Sequence, residues 1–203
     1  MSATLSQAEF DALLRDHEEW NAGGGGRQLD LTGRPLTGLR LAGRRVDGVI
    51  FNDTDLSGCD LSGTDLSHAE LIGANLRHAR LASADLYKAN LTGANLDGAD
   101  LSGARLLRTD LTEAVLTGAV LDDAELTKTY FERTDLRGAR LRGTRLDRVG
   151  FDADAVSGWD ASGATGTVLA GSLVTDVGGL TDAIDALRQA GALVRPFIGK
   201  AES

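Results

Sequence analysis

The chain has 203 residues, of which 42% are hydrophobic but only 4% are aromatic, and its net charge is −9. This length is typical of one domain with short extensions, and its core must be built mainly from aliphatic side chains. The only cysteine, Cys59, excludes an intrachain disulfide and favours a reducing compartment. The sequence shows neither a signal-peptide pattern nor an apolar run long enough to span a bilayer, so we expect a cytoplasmic protein with no membrane partner.

The first predicted element is an N-terminal helix. Ser6 and Glu9 have the spacing of a capping box, and Leu5 can pack against Phe10 as a hydrophobic staple. A glycine-rich stretch, AGGGG, follows the helix. We therefore interpret residues 1–28 as a capping helix and a linker that lead into the next segment.

The second segment is a five-residue repeat. Every fifth residue from Leu31 to Phe151 is large and apolar: 21 Leu, one Val and three Phe. The residue two positions earlier is Ala, Thr or Cys throughout 54–144, and Asp or Asn often precedes the large residue. A chain that turns a corner every fifth residue closes one coil in four sides, so residues 20 apart lie above one another. For residues 29–153 we predict an all-β solenoid, a quadrilateral β-helix of about six coils and about 30 Å in length at the usual strand spacing.

The last segment, residues 154–203, loses the repeat. Its stretch GLTDAIDALRQAGALV predicts a helix with Thr181 as N-cap and Gly191 as its end. After an irregular final coil, this helix either caps the solenoid or joins two copies of the chain. The candidate dimer contacts are the apolar residues Ile184, Leu187, Leu193 and Val194.

The A-(D/N)-L-x-x pattern, as in ANLTGANLDGADLSGARL, resembles the pentapeptide repeat family. The resemblance covers residues 29–153 and implies a right-handed quadrilateral β-helix. Several members of that family bind DNA gyrase or topoisomerase IV and protect it from quinolones or peptide toxins, with acidic side chains in place of DNA phosphates. In the quinolone-resistance members, a C-terminal helix after the coils forms a two-fold dimer.

Signals for an enzyme are weak. The sequence has no His/Cys cluster with metal-ligand spacing and no glycine-rich phosphate loop after a strand. Cys59 occupies an inward small position, where a buried and unreactive thiol is expected. We expect a protein without catalytic residues, metal or cofactor, whose partner is another protein and not nucleic acid.

Two candidate surfaces follow from the 20-residue spacing. One corner carries a set of residues that we call the basic column: Gly48, His68, Lys88, Arg108, Lys128 and Arg148. Stacked cations repel one another, so this column is either a tolerated solvated edge or a strip that meets an anionic partner. Apolar residues at outward positions extend this candidate partner surface: Tyr87, Leu107, Val115, Val120 and Tyr130.

The other candidate surface is acidic. Residues 47–100 contain nine acids and three bases, whereas residues 133–148 contain six arginines and two acids. The acidic candidates are Asp55, Asp60, Asp65, Asp85, Asp97 and Asp100. The resemblance implies that they take the place of DNA phosphates on gyrase or topoisomerase IV. The alternative is a general docking module for another cytoplasmic protein, with no DNA mimicry, because rigid solenoids present long, regular faces.

Overall fold

The computed structural model of the chain describes residues 5–36, 38–151, 160, 165–170 and 193–196. It contains helix α1 (Gln7–Asn21) and five short strands. The strands are β1 (Glu125–Thr127), β2 (Tyr130–Phe131), β3 (Arg145–Phe151), β4 (Thr165–Ala170) and β5 (Leu193–Pro196). They form a parallel sheet in the order β1-β3-β4-β5, in which β2 also pairs with β3.

Isolated parallel bridges organise the chain between α1 and these strands. The bridges join residues that are 20 apart in sequence, from Asp30 and Ile50 at one end to Arg140 and Asp160 at the other. They recur at most of the residues that precede a large apolar position, and every fourth such residue belongs to the same column. One coil therefore takes 20 residues and has four sides, which is the spacing predicted from the repeat.

A tight turn forms each corner. The Arg34 N–H donates to the Leu31 carbonyl oxygen at 3.0 Å, and Gly33 between them has φ +68°. The same left-handed backbone recurs at every fifth residue from 33 to 148, with φ between +52° and +85°. Glycine adopts this conformation without steric cost, which explains why it recurs at the corners.

Leucines fill the interior of the coils. Leu91, Leu111 and the other leucines of the repeat are fully buried, and the alanines beside them have at most 1% exposure. Threonines that take the place of these alanines satisfy their hydroxyls on the neighbouring coil, because the Thr109 Oγ1 donates to the Leu86 carbonyl oxygen at 2.7 Å. Thr54, Thr64, Thr129, Thr134 and Thr144 each make the equivalent bond to a carbonyl 23 residues earlier. A buried hydroxyl without such a partner is costly.

Helix α1 packs against the first coil. Ser6 and Glu9 form the capping box that the sequence predicts, and Phe10 and Leu14 are buried in the same core as the coil leucines. The Gln7 side-chain oxygen accepts a hydrogen bond from the Arg40 N–H at 2.8 Å. The helix therefore covers the end of the leucine core, where an uncovered coil would expose apolar surface and unpaired backbone groups.

Strands β3, β4 and β5 extend the parallel stack beyond the regular repeat. β4 pairs with β3 across an irregularity between Asp147 and Val149, and β5 pairs with β4 through Leu193 and Val194. The segments of β4 and β5 lack the five-residue period, so the repeat does not predict these two strands. The predicted C-terminal helix and its candidate contacts Ile184 and Leu187 lie outside the described residues. Within the described residues, no helix is both long and apolar enough to cross a membrane.

Candidate interaction surfaces

Five of the six acidic candidates are anchored to the turns that follow them, whereas Asp97 accepts a hydrogen bond from the Thr117 hydroxyl on the next coil. Asp65 Oδ1 accepts hydrogen bonds from the Ser67 N–H at 3.0 Å and from its hydroxyl at 2.6 Å. Asp55, Asp60, Asp85 and Asp100 accept the equivalent backbone N–H bond from the residue two positions later. One carboxylate oxygen of each of these five aspartates therefore stabilises the corner, and the other faces the surface, where it can pair with a basic side chain.

Arginines on neighbouring coils pair with four of these carboxylates. Arg105 Nη1 lies 2.6 Å from Asp85 Oδ2, and Arg77 Nη2 lies 3.0 Å from Asp97 Oδ2. The longer pairs are Arg80 with Asp60 at 3.5 Å and Arg45 with Asp65 at 3.9 Å. Among the described residues, Asp55 and Asp100 form no salt bridge, so their charge is not balanced by a neighbouring coil.

The basic column lies at one corner, with its backbone fixed by bonds between coils. The N–H of Lys88 donates to the Leu107 carbonyl at 3.0 Å, and that of Arg108 donates to the Thr127 carbonyl at 2.9 Å. Lys128 makes the same bond to the next coil, at 2.8 Å. Lys88 and Arg108 are exposed, and Lys128 is half-buried. The structure thus brings these cations together in one line at the coil spacing.

Two apolar side chains lie directly beside the basic column. Tyr87 and Leu107 are half-buried on successive coils. The rings of Tyr87 and His68 meet edge to face with their centroids 5.4 Å apart, and the Lys88 Nζ lies 5.2 Å from the Tyr87 ring centroid. Cations and aromatic faces attract one another at such distances. Tyr87 and Leu107 therefore form a short apolar ridge next to the cations.

The remaining apolar candidates lie in three other columns. Val115 bridges to Asn95, Val120 to Asp100, and Tyr130 to Asp110. Val115 and Val120 are half-buried, whereas Tyr130 is 59% exposed. These three residues therefore lie outside the column that contains Tyr87 and Leu107.

The titratable groups inside and outside the coils differ in environment. Burial raises the pKa of the Cys59 thiol, whose Sγ lies 3.7 Å from the Leu36 carbonyl oxygen. A thiol with a raised pKa is a poor nucleophile, so Cys59 is a packing residue.

On the surface, the hydrogen bond from Arg137 lowers the pKa of Asp135, and the same bond raises the pKa of Arg137. In the part of the chain that the structure describes, no three His, Cys, Asp or Glu side chains gather in a metal-binding group.

The repeat itself matches a known family. The sequence model of the pentapeptide repeat family matches eight copies of the repeat and covers more than half of the chain. The matched residues are 36–71, 50–86, 69–106, 79–118 and 114–149. The chain belongs to the pentapeptide repeat family. Proteins of this family form right-handed quadrilateral β-helices. They are in general non-enzymatic structural or interaction proteins.

Several solved pentapeptide repeat proteins are similar in structure. A protein from the Arabidopsis thaliana thylakoid lumen is 32% identical over 49% of this chain and 66% of its own, with a TM-score of 0.36. HetL, involved in heterocyst differentiation regulation in the cyanobacterium Nostoc, is 24% identical over 99% of this chain and 95% of its own, with a TM-score of 0.46. QnrB1, a plasmid-mediated fluoroquinolone resistance protein, is 22% identical over 83% of this chain and 100% of its own, with a TM-score of 0.46. No curated protein sequence matches the chain.

Proposed function

We propose that the protein is a non-enzymatic, cytoplasmic interaction protein that binds a partner protein on the outer walls of a rigid rod. The observation that supports this most directly is the regular hydrogen bonding between coils, which recurs through the described repeat. The Leu31 N–H donates to the Ile50 carbonyl oxygen and the Leu56 N–H to the Asn75 carbonyl oxygen, each at 2.8 Å. Side chains on such walls keep a fixed spacing, so little conformational entropy is lost when a partner binds. In this proposal the rod is a right-handed quadrilateral β-helix of about six coils.

The specific partner that we propose is a bacterial type II topoisomerase, DNA gyrase or topoisomerase IV. The protein then acts as a DNA mimic that protects the enzyme from quinolones or other poisons. The acid-rich stretch 47–100 supports this proposal, and within it Asp55 and Asp100 have no basic partner among the described residues. Unpaired carboxylates on a rod attract a cationic DNA channel through the same field that attracts phosphates.

Supercoiling by purified gyrase and decatenation by purified topoisomerase IV test this partner. We expect the protein to preserve supercoiling in the presence of ciprofloxacin, and Asp55→Asn/Asp100→Asn to weaken this protection. Asparagine keeps the turn hydrogen bond, as Asn90 does with Thr92 at 3.1 Å, so the variant loses charge without losing the corner. Asp85→Asn/Asp97→Asn is the matched control, because both of its carboxylates are already paired with arginine. Absence of any effect of the unmodified protein on either enzyme contradicts the proposal.

The second candidate function is docking of a different cytoplasmic protein, without DNA mimicry. The ridge of Tyr87 and Leu107 beside unpaired cations favours it, because a protein partner contributes both apolar and charged groups. In both proposals, the C-terminal segment 154–203 either caps the coils or forms a homodimer contact. The candidate dimer contacts are Ile184, Leu187, Leu193 and Val194. The mass of the protein in solution distinguishes these two roles.

A further inference from the structure

Between residues 45 and 148, the cations of the basic column differ from the other cations in having no salt bridge to an acidic side chain. Within the described residues 45–148, every Lys or Arg outside this column lies within 4.0 Å of a carboxylate oxygen. These paired residues are Arg45, Arg77, Arg80, Arg105, Arg133, Arg137, Arg140, Arg142 and Arg145. Among the same residues, Lys88, Arg108, Lys128 and Arg148 form no salt bridge. The column therefore contains all the unbalanced positive charge of the described residues 45–148.

The column also has an unfavourable backbone conformation for its side chains. Lys88, Arg108, Lys128 and Arg148 have φ between +55° and +59°, a region that glycine adopts more easily. A different corner has glycine at 38, 58, 98, 118 and 138 and a single non-glycine residue, His78. The basic column thus combines backbone strain with repulsion between like charges at a coil spacing of about 4.8 Å. Within the described part of the chain, no salt bridge offsets these costs, and only Lys88 has a cation–π contact, with Tyr87.

The surroundings of the column indicate what kind of ligand fits. Four stacked cations span about 15 Å, which equals four to five residues of an extended peptide at about 3.3 Å each. Alternate side chains of such a peptide point to the same face, so its carboxylates can reach successive cations. Tyr87 and Leu107 beside the cations supply apolar surface for a hydrophobic side chain between those acids.

A long nucleic acid fits these surroundings less well. The chain has a net charge of −9 and acid-rich early coils, which repel a polyanion at distances beyond direct contact. Tyr87 is half-buried and contacts both His68 and Lys88, so its ring is not a free platform for stacking bases. A short acidic segment of a protein avoids both obstacles.

We propose that the basic column binds an extended acidic peptide segment of a partner protein, which runs along the rod with a hydrophobic side chain on the ridge of Tyr87 and Leu107. This inference rests on the proposed interaction role of the rod. The basic column is a different surface from the one that carries Asp55 and Asp100. Peptide binding and topoisomerase protection can therefore be tested separately.

The experiment selects random dodecapeptides displayed on phage against the full-length protein and measures the enriched peptides by fluorescence anisotropy. We expect acidic residues at alternate positions with an interspersed apolar residue, and affinity that falls as salt is added. Arg108→Gly/Lys128→Gly should weaken binding about tenfold, as expected for the loss of two exposed ion pairs. The same variant should melt at a higher temperature, because glycine relieves the left-handed backbone.

Matched variants make the result decisive. Arg108 and Arg133 are both corner arginines with positive φ, and each is replaced by glycine in one variant. Only Arg108 belongs to the basic column. Arg108→Gly should weaken peptide binding, and Arg133→Gly should change it less than about twofold. Equal weakening by both variants, or enriched peptides without acids, overturns the proposal. Tighter binding of an oligothymidine of equal charge also overturns it in favour of nucleic acid. Gyrase protection is measured on the same variants, and its absence in the unmodified protein rejects the topoisomerase proposal without affecting the peptide result.

Discussion

Where an aspartate or asparagine precedes an inward leucine, its side chain can cap the following turn. Asp30 Oδ1 accepts hydrogen bonds from the Thr32 N–H at 2.9 Å and from the Thr32 hydroxyl at 2.6 Å. Asn90 accepts the same two bonds from Thr92, at 3.1 Å and 2.7 Å. Because both side chains offer an oxygen in the same place, Asp and Asn can replace each other here without loss of the turn.

This cap predicts a pH-dependent contribution to stability. The hydrogen bonds from the Thr32 side chain and backbone, with a smaller effect of Arg34, lower the pKa of Asp30 from 3.8. Since the pKa is lower in the folded chain, the stabilisation is complete above the unfolded value. It is lost as the pH falls through the folded-state pKa. We expect Asp30→Asn to keep most of the neutral-pH stability but to reduce the loss of stability in acid.

The measurement is the free energy of unfolding from urea titrations between about pH 2 and pH 7, a range that brackets the carboxyl pKa values. Asp30→Ala removes the cap altogether and should lower the free energy of unfolding by about 1 kcal/mol at neutral pH. If Asp30→Asn and the unmodified protein lose stability in parallel below pH 3.8, the cap does not account for the shifted pKa.

The repeat predicts which residues point inward but not which polar groups are satisfied. The alternation of large and small residues identifies Leu86 and Thr109 as inward positions, whereas the bond between the Thr109 hydroxyl and the Leu86 carbonyl appears only in the structure. The same holds for the pairing of cations with carboxylates. Counting by 20 places Arg108 in its column, but whether a carboxylate lies within reach of its side chain cannot be derived from spacing.

At the scale of the elements, His17 joins α1 to the first coil. The residue is fully buried, and its Nδ1 accepts a hydrogen bond from the Leu29 N–H at 3.1 Å. Its Nε2 lies 2.8 Å from the Asp47 carbonyl oxygen, so a neutral ring with its proton on Nε2 satisfies both contacts. The capping box and apolar face of α1 predict the helix from the sequence, but the contacts of His17 span 12 and 30 residues and have no local signal.

His17→Leu should therefore loosen the attachment of α1. The Leu29 N–H loses its acceptor in a buried position, which costs about 1–3 kcal/mol. We expect faster hydrogen exchange at the Leu29 amide and a lower free energy of unfolding, whereas exposed Glu18→Ala on the same helix should change neither by much. Unchanged exchange at Leu29 in the His17 variant shows that the bond does not hold the helix.

The end of the chain illustrates the limit of pattern-based prediction. β4 and β5 continue the parallel stack in segments whose sequences, TGTVLA and LVRP, have no five-residue period. Their pairing depends on the edge that β3 presents, a tertiary feature that overrides local pattern. The predicted helix between them lies outside the described residues and stays a prediction.

At the scale of the whole molecule, stacked coils supply both stability and surface. Each coil contacts mainly its neighbours through buried leucine, so stability accumulates along the rod. Several salt bridges also run between coils, such as Arg77 with Asp97 and Arg105 with Asp85. These bridges are partly exposed, and each contributes at most about 1 kcal/mol to the free energy of folding. They therefore fix the positions of surface side chains more than they stabilise the core.

Every surface on these coils depends on residues 20 apart lying directly above one another. Pyrene labels on paired cysteines in a Cys59→Ala background test it, because two pyrenes give excimer emission only when they touch. We predict strong excimer emission from Thr92→Cys/Thr112→Cys, which lie on adjacent coils in one column. Thr92→Cys/Ser102→Cys, closer in sequence but half a coil away, should give monomer emission alone. Excimer emission from the second pair and its absence from the first would contradict the account.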